Sequence, residues 1–192
     1  MTAAGGPDSY RIFFKVDPYR RIRLISATSE LKPSERRANT RVTDCDGKKS
    51  ILIICSGNTC RSPMAKVILE QLLEQAGKAG YYSVDSAAKT GGTAKRAAIN
   101  ARDVIRQMYG EGLLGTHRPK PVAPELVEQA DIILVVESWM KGGLPAEKTW
   151  GLKEYVDEKG DLADPFGGDI GEYRACAREL TTVLSKLVDK LD

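Results

Sequence analysis

Four consecutive aliphatic residues, Ile51-Leu52-Ile53-Ile54, run directly into Cys55-Ser56-Gly57-Asn58-Thr59-Cys60-Arg61-Ser62-Pro63, after which apolar residues recur at helical spacing. A strand, a tight polar loop and a helix start in immediate succession leave few folds open. An uninterrupted apolar strand needs cover on both faces, which is the environment of a parallel sheet between helices. The loop points backbone N–H groups inward at the positive end of the helix dipole, where a phosphate dianion is held. Cys55 lies at the base of that cradle, Arg61 can close it with a planar two-pronged donor, and Ser62 can hydrogen-bond a thiolate. Taken alone, Cys55 reads as a buried cysteine at a strand end. Together with Arg61, Ser62 and Pro63 at these spacings it reads as a nucleophile in a phosphate loop.

The remainder of the chain keeps the same rhythm. Helices are predicted over 62–76, with Met64, Val67, Ile68 and Leu72 on one face and Gly77 as the stop, over 96–109, and over the short segment 124–129. The clearest helix is predicted over 173–191, with Leu180, Val183, Leu184 and Leu187 along its stripe. Strands are expected at 81–85, 132–136 and near 148–152. The expected fold is α/β: a four-stranded parallel sheet with helices on both faces, a flavodoxin-like three-layer sandwich, over residues 50–192. Ligands of such sheets bind beyond the carboxyl ends of the strands, where Cys55 lies.

Residues 1–49 read as an N-terminal extension. Its segment 10–25 is apolar enough for one or two short strands, whereas 26–49 is polar and reads as a linker. Residues 1–50 carry eleven Lys/Arg against six Asp/Glu, a balance of +5, and residues 51–192 carry eighteen against twenty, a balance of −2. Arg20, Arg21, Arg23, Arg36 and Arg37 could meet nucleic acid or an acidic surface. Without interleaved aromatics or a nucleic-acid motif, a solvated extension is the reading favoured here. No apolar stretch approaches the roughly 20 residues of a membrane span, and the first residues carry neither a basic nor an apolar signal region. Four cysteines, two of them in one loop, suit a reduced cytoplasmic setting rather than a disulfide scaffold.

A helix N-terminus, an arginine and inward N–H groups stabilise a thiolate and bind phosphoryl oxygens alike. The reaction that follows is in-line attack on phosphorus, giving a phosphocysteine that water hydrolyses. It needs an acid for the leaving group and then a base for the water, roles that one carboxyl can fill. Asp164, in Asp161-Leu162-Ala163-Asp164-Pro165-Phe166-Gly167-Gly168, is the leading candidate, with Asp161 and Asp169 as rivals and a plain Asp-Pro turn as the alternative.

Cys55 to Pro63, followed by Asp164-Pro165, resembles the low-molecular-weight protein phosphatases over about three quarters of the chain. The resemblance implies Cys55 as nucleophile, Arg61 as phosphate clamp, Ser62 as thiolate stabiliser and Asp164 as acid then base. Ser56, Gly57, Asn58, Thr59 and Cys60 complete the loop. Ser86 and His117, with Asn58, look like the network that holds it in shape. The family needs no metal or other cofactor, consistent with a sequence lacking a His/Cys/carboxylate cluster. Cys60 could form a disulfide with Cys55 under peroxide, or could serve only as a small apolar filler.

Tyrosine phosphatases of this family carry Ile or Leu at the position of Thr59, and aromatics around the mouth. Here Lys89-Thr90-Gly91-Gly92 has none, and Phe166-Gly167 replaces a Tyr pair. Thr59, Phe166 and Leu152-Lys153-Glu154-Tyr155-Val156 resemble the protein-arginine phosphatase branch. The expected substrates are therefore phosphorylated proteins bearing phosphoarginine. A tyrosine phosphatase is the alternative, and an arsenate reductase or a non-catalytic phosphate-binding regulator are remoter ones. Arsenate reduction would need further cysteines near the nucleophile, and none occurs between Cys60 and Cys176.

Overall fold

The structure, a computed structural model, describes the backbone of residues 11–16 and 22–28 and the whole of residues 47–191. The chain divides into two units, Met1–Thr43 and Asp44–Asp192. In the first, β1 (Arg11–Val16) pairs antiparallel with β2 (Ile22–Thr28), with a bulge between Phe13 and Phe14. The strand therefore runs past residue 25, into what the sequence reading assigned to a linker. Arg20, Arg21, Arg36, Arg37, Cys45 and the linker residues 29–46 lie outside the described residues.

The second unit begins with β3 (Lys49–Cys55) and α1 (Arg61–Gln75), followed by β4 (Tyr82–Ala88) and α2 (Ile99–Tyr109). Next come α3 (Pro124–Gln129), β5 (Ile132–Val135), β6 (Thr149–Gly151), the short α4 (Leu152–Tyr155) and α5 (Ile170–Lys190). The sheet order is β4-β3-β5-β6, every pairing parallel. Strand β3 is thus central, and Ile51 to Ile54 are essentially fully buried. The right-handed crossover rule places α1 and α3 on opposite faces, which gives the three-layer sandwich.

The boundaries shift for local reasons. Pairing of β3 with β4 continues to Cys55 opposite Ala88, so β4 outlasts its expected end at residue 85. Helix α2 starts at Ile99 rather than 96: Ala98 before it has an extended ψ of 145°, and its N–H goes to the Thr59 carbonyl, 2.9 Å away. Leu152 opens α4 instead of closing β6. Helix α5 starts three residues before Tyr173, at a cap described below. Helix α1 buries Leu69 and Leu73 as well as Met64, Val67 and Ile68, a stripe wide enough to face both the sheet and α5. Pro63 falls in its first turn, where its missing N–H breaks no helical bond. No helix among the described residues is long and apolar enough to cross a membrane.

Candidate active site

Cys55 is the last residue of the central strand, and the loop 56–60 turns from it into α1. Its Sγ accepts two hydrogen bonds, from the Asn58 N–H at 3.2 Å and from Ser62 Oγ at 2.9 Å. The turn depends on Asn58, whose φ of 55° lies in the left-handed region that a short polar side chain tolerates better than most. Asn58 is wholly buried. Its Nδ2 donates to Ser62 Oγ (2.9 Å) and Ser86 Oγ (3.0 Å), and its Oδ1 accepts from the Lys120 N–H (3.1 Å). The His117 Nε2 lies 3.0 Å from the Asn58 carbonyl. Burial holds the His117 pKa below the usual range, against the opposing pull of that carbonyl. Neutral His117 donates through Nε2, so hydrogen bonds link Asn58 to Ser62, Ser86 and His117.

Arg61 is 1% exposed, although it carries a charge. Such burial is tolerated because both terminal nitrogens of the guanidinium are partnered. One terminal nitrogen donates to Glu137 Oε1 and to the Leu162 carbonyl at 3.0 Å. The other donates to Ser56 Oγ at 3.1 Å and to Asp164 Oδ2 at 2.5 Å. The acid loop is fixed in turn: Leu162 N–H donates to the Val136 carbonyl, and Asp164 Oδ1 accepts from the Phe166 N–H at 3.2 Å.

The structure separates Asp164 from its two rivals. Asp161 accepts from both the N–H and the hydroxyl of Ser138, at 2.9 and 2.7 Å, and so joins the acid loop to the segment after β5. Asp169 caps α5, accepting from the N–H groups of Gly171 and Glu172 while Glu172 returns a bond to the Asp169 N–H. Only Asp164 of the three reaches the cavity beside Cys55. That cavity, of about 210 Å³, is lined by Cys55, Ser56, Gly57, Thr59, Cys60 and Arg61, with Thr90, Asp164 and Phe166 from other loops. Phe166 is 75% exposed and is the one aromatic lining the cavity among the described residues.

Cys60 is buried, with its Sγ 3.2 Å from Tyr173 Oη and 3.4 Å from Thr59 Oγ1. Burial raises the pKa of the Cys60 thiol, and raises that of Cys176 further, to about 12. Both are therefore kept as thiols at neutral pH. Cys55, Cys60 and Cys176 are all free.

Three contributors escaped the sequence reading: Glu137 on Arg61, Lys120 on Asn58 and Tyr173 on Cys60. None carries a local signal, because their partners lie 62 to 113 residues away. Among the described residues no group of His, Cys, Asp or Glu side chains could hold a metal ion. A cysteine facing inward N–H groups, an arginine held through both terminal nitrogens and a carboxylate, around one small cavity, can bind a phosphoryl group and transfer it to sulfur.

The model of the family described as low molecular weight phosphotyrosine protein phosphatase matches residues 50–192. A protein-arginine-phosphatase of Geobacillus stearothermophilus is 34% identical over 148 residues, covering 73% of this chain and 95% of that protein. A low molecular weight protein-tyrosine-phosphatase of Staphylococcus haemolyticus is 32% identical over 146 residues, covering 71% and 96%. The crystal structure of a low molecular weight protein tyrosine phosphatase from T. tengcongensis superposes with a TM-score of 0.70 at 32% identity, covering 75% of this chain and all of the other.

Proposed function

The chain belongs to the low molecular weight phosphotyrosine protein phosphatase family and is a phosphoprotein phosphatase, and from that premise we propose that it removes phosphate from arginine side chains of proteins. The observation that carries this reading is Thr59 on the wall of a cavity in which, among the described residues, Phe166 is the one aromatic. Phosphoarginine links phosphorus to a nitrogen that bears hydrogens. The Thr59 hydroxyl can accept from it, whereas an aliphatic side chain would leave that donor unpaired at about 1–3 kcal/mol. A phenyl phosphate gains nothing from a hydroxyl and finds only one stacking wall. The similarity to the Geobacillus protein-arginine-phosphatase adds support.

In this mechanism the phosphoryl oxygens occupy the N–H groups of residues 56–60 and the Arg61 nitrogen shared with Ser56 and Asp164. The Asp164 carboxyl is released from Arg61 and turns to the bridging atom. Cys55 Sγ attacks in line: the S–P bond forms, the P–N bond breaks, and Asp164 gives its proton to the departing guanidine nitrogen. Asp164 then takes a proton from water, whose oxygen attacks phosphorus. The P–S bond breaks, inorganic phosphate leaves, and the thiolate returns to the Ser62 hydroxyl and the Asn58 N–H. A nucleophile that must stay reduced suits the cytoplasm. Residues 50–192 carry this chemistry, with residues 1–49 as a basic extension.

Turnover of phosphoarginine and phosphotyrosine peptides, measured side by side in wild type and Thr59→Ile, tests the reading. Wild type is expected to favour phosphoarginine and Thr59→Ile to lose about tenfold or more of that preference. A wild-type preference for phosphotyrosine would make the chain a tyrosine phosphatase. Cys55→Ser should abolish turnover under either substrate. Asp164→Asn should slow it by about 10²–10⁴-fold.

A further inference from the structure

The segment 89–98 is fastened to the phosphate loop at two points, by the Thr90 N–H on the Ser56 carbonyl (3.0 Å) and the Ala98 N–H on the Thr59 carbonyl (2.9 Å). Between them Gly92, with φ +77°, presses so closely on residues 120–121 that a Cβ would lie 2.6 Å from the Pro121 nitrogen. The segment is thus held in place, and it carries Lys95 and Arg96 side by side, both exposed. Lys89, on the same segment, gives its ammonium to the Gly142 carbonyl. Among the described residues, Lys95 and Arg96 have no ion-pair or side-chain hydrogen-bond partner. Three residues span at most about 10 Å, so the backbone of Lys95 and Arg96 stays within about that distance of Ala98, which is bonded to the phosphate loop. Asp161 and Asp169 are committed to Ser138 and to the start of α5.

We propose that Lys95 and Arg96 are a docking surface for acidic residues flanking the phosphorylated residue of a protein substrate. The inference rests on the chain's being a phosphoprotein phosphatase and holds for either phosphorylated residue. Two exposed cations that no described residue pairs, on a segment bonded to the phosphate loop, favour an acidic approach and disfavour a basic one. Exposed pairs are individually weak, so the two together are expected to change kcat/KM roughly three- to tenfold.

The test uses the full chain with phosphoarginine and phosphotyrosine peptides that carry Asp, Asn or Lys at the flanking positions. Wild type should favour Asp over Asn flanks roughly three- to tenfold, chiefly through KM, with the ratio shrinking as salt rises. Lys95→Ser with Arg96→Ser should bring the ratio to about one. Lys95→Glu with Arg96→Glu should invert it in favour of Lys flanks, a gain that a misfolded protein could not show. A ratio near one in wild type, or an unchanged ratio in both double variants, overturns the proposal. Failure to hydrolyse any of the peptides would instead remove the phosphatase reading beneath it.

Discussion

Arg61 shows how far one side chain can organise a site. It joins the phosphate loop to Glu137 after β5 and to Leu162 and Asp164 of the acid loop, all from a position 1% exposed. Glu137 offsets its charge at the nitrogen that also meets the Leu162 carbonyl, leaving the other nitrogen for the phosphoryl group. Glu137→Gln keeps an acceptor but removes that charge, and should lower the unfolding free energy by about 1–3 kcal/mol in a urea titration. An unchanged midpoint would mean that Asp164 alone suffices to hold the guanidinium. His117 acts through protons instead. Its folded-state pKa lies below the ordinary value of about 6.5, so below that pH the unfolded chain binds more protons than the fold. The stability linked to neutral His117 is present above pH 6.5 and lost on acidification. Melting temperature should therefore fall from pH 7 to pH 5 more steeply in wild type than in His117→Gln. Parallel curves would count against this.

At the scale of elements, the start of α5 offers a direct check. Asp169 and Glu172 form a reciprocal cap, and Asp169→Ala should cost about 0.5–2 kcal/mol by chemical denaturation. It should leave kcat near wild type, because Asp169 does not line the cavity; a loss as severe as that of Asp164→Asn would return Asp169 to the role of acid. The same cap shows what the sequence made legible. Asp169 and Glu172 at capping-box spacing sit in plain view, yet the Asp-Pro turn drew Asp169 into the catalytic reckoning instead. The central strand, the loop from Cys55 to Ser62 and the helix after it were readable because each rests on neighbours in sequence. The end of β4 and the start of α2 were not, since pairing of Cys55 with Ala88 and the bond from Ala98 to Thr59 are set between segments. Glu137 was invisible for the same reason: an acidic residue after a strand carries no sign that a buried guanidinium waits 76 residues earlier.

At the scale of the molecule, relatives such as the Geobacillus protein align over 95% of their length with 73% of this chain. The unit from Asp44 onward should accordingly fold without residues 1–43, melt in one cooperative transition, and keep kcat on a short phosphopeptide within about threefold of the full chain. Failure to fold would assign the extension a structural part. Within that unit, Asn58 ties Cys55, Ser62, Ser86, His117 and Lys120 together from one left-handed residue. Each of those five bonds forms within the protein itself. The entropy of shaping the cradle is thus spent during synthesis of the native state and not at each turnover. Phosphate should then enter a mould already set, with a small heat-capacity change by calorimetry, and the amide proton of Asn58 should exchange with solvent no faster than the whole domain opens.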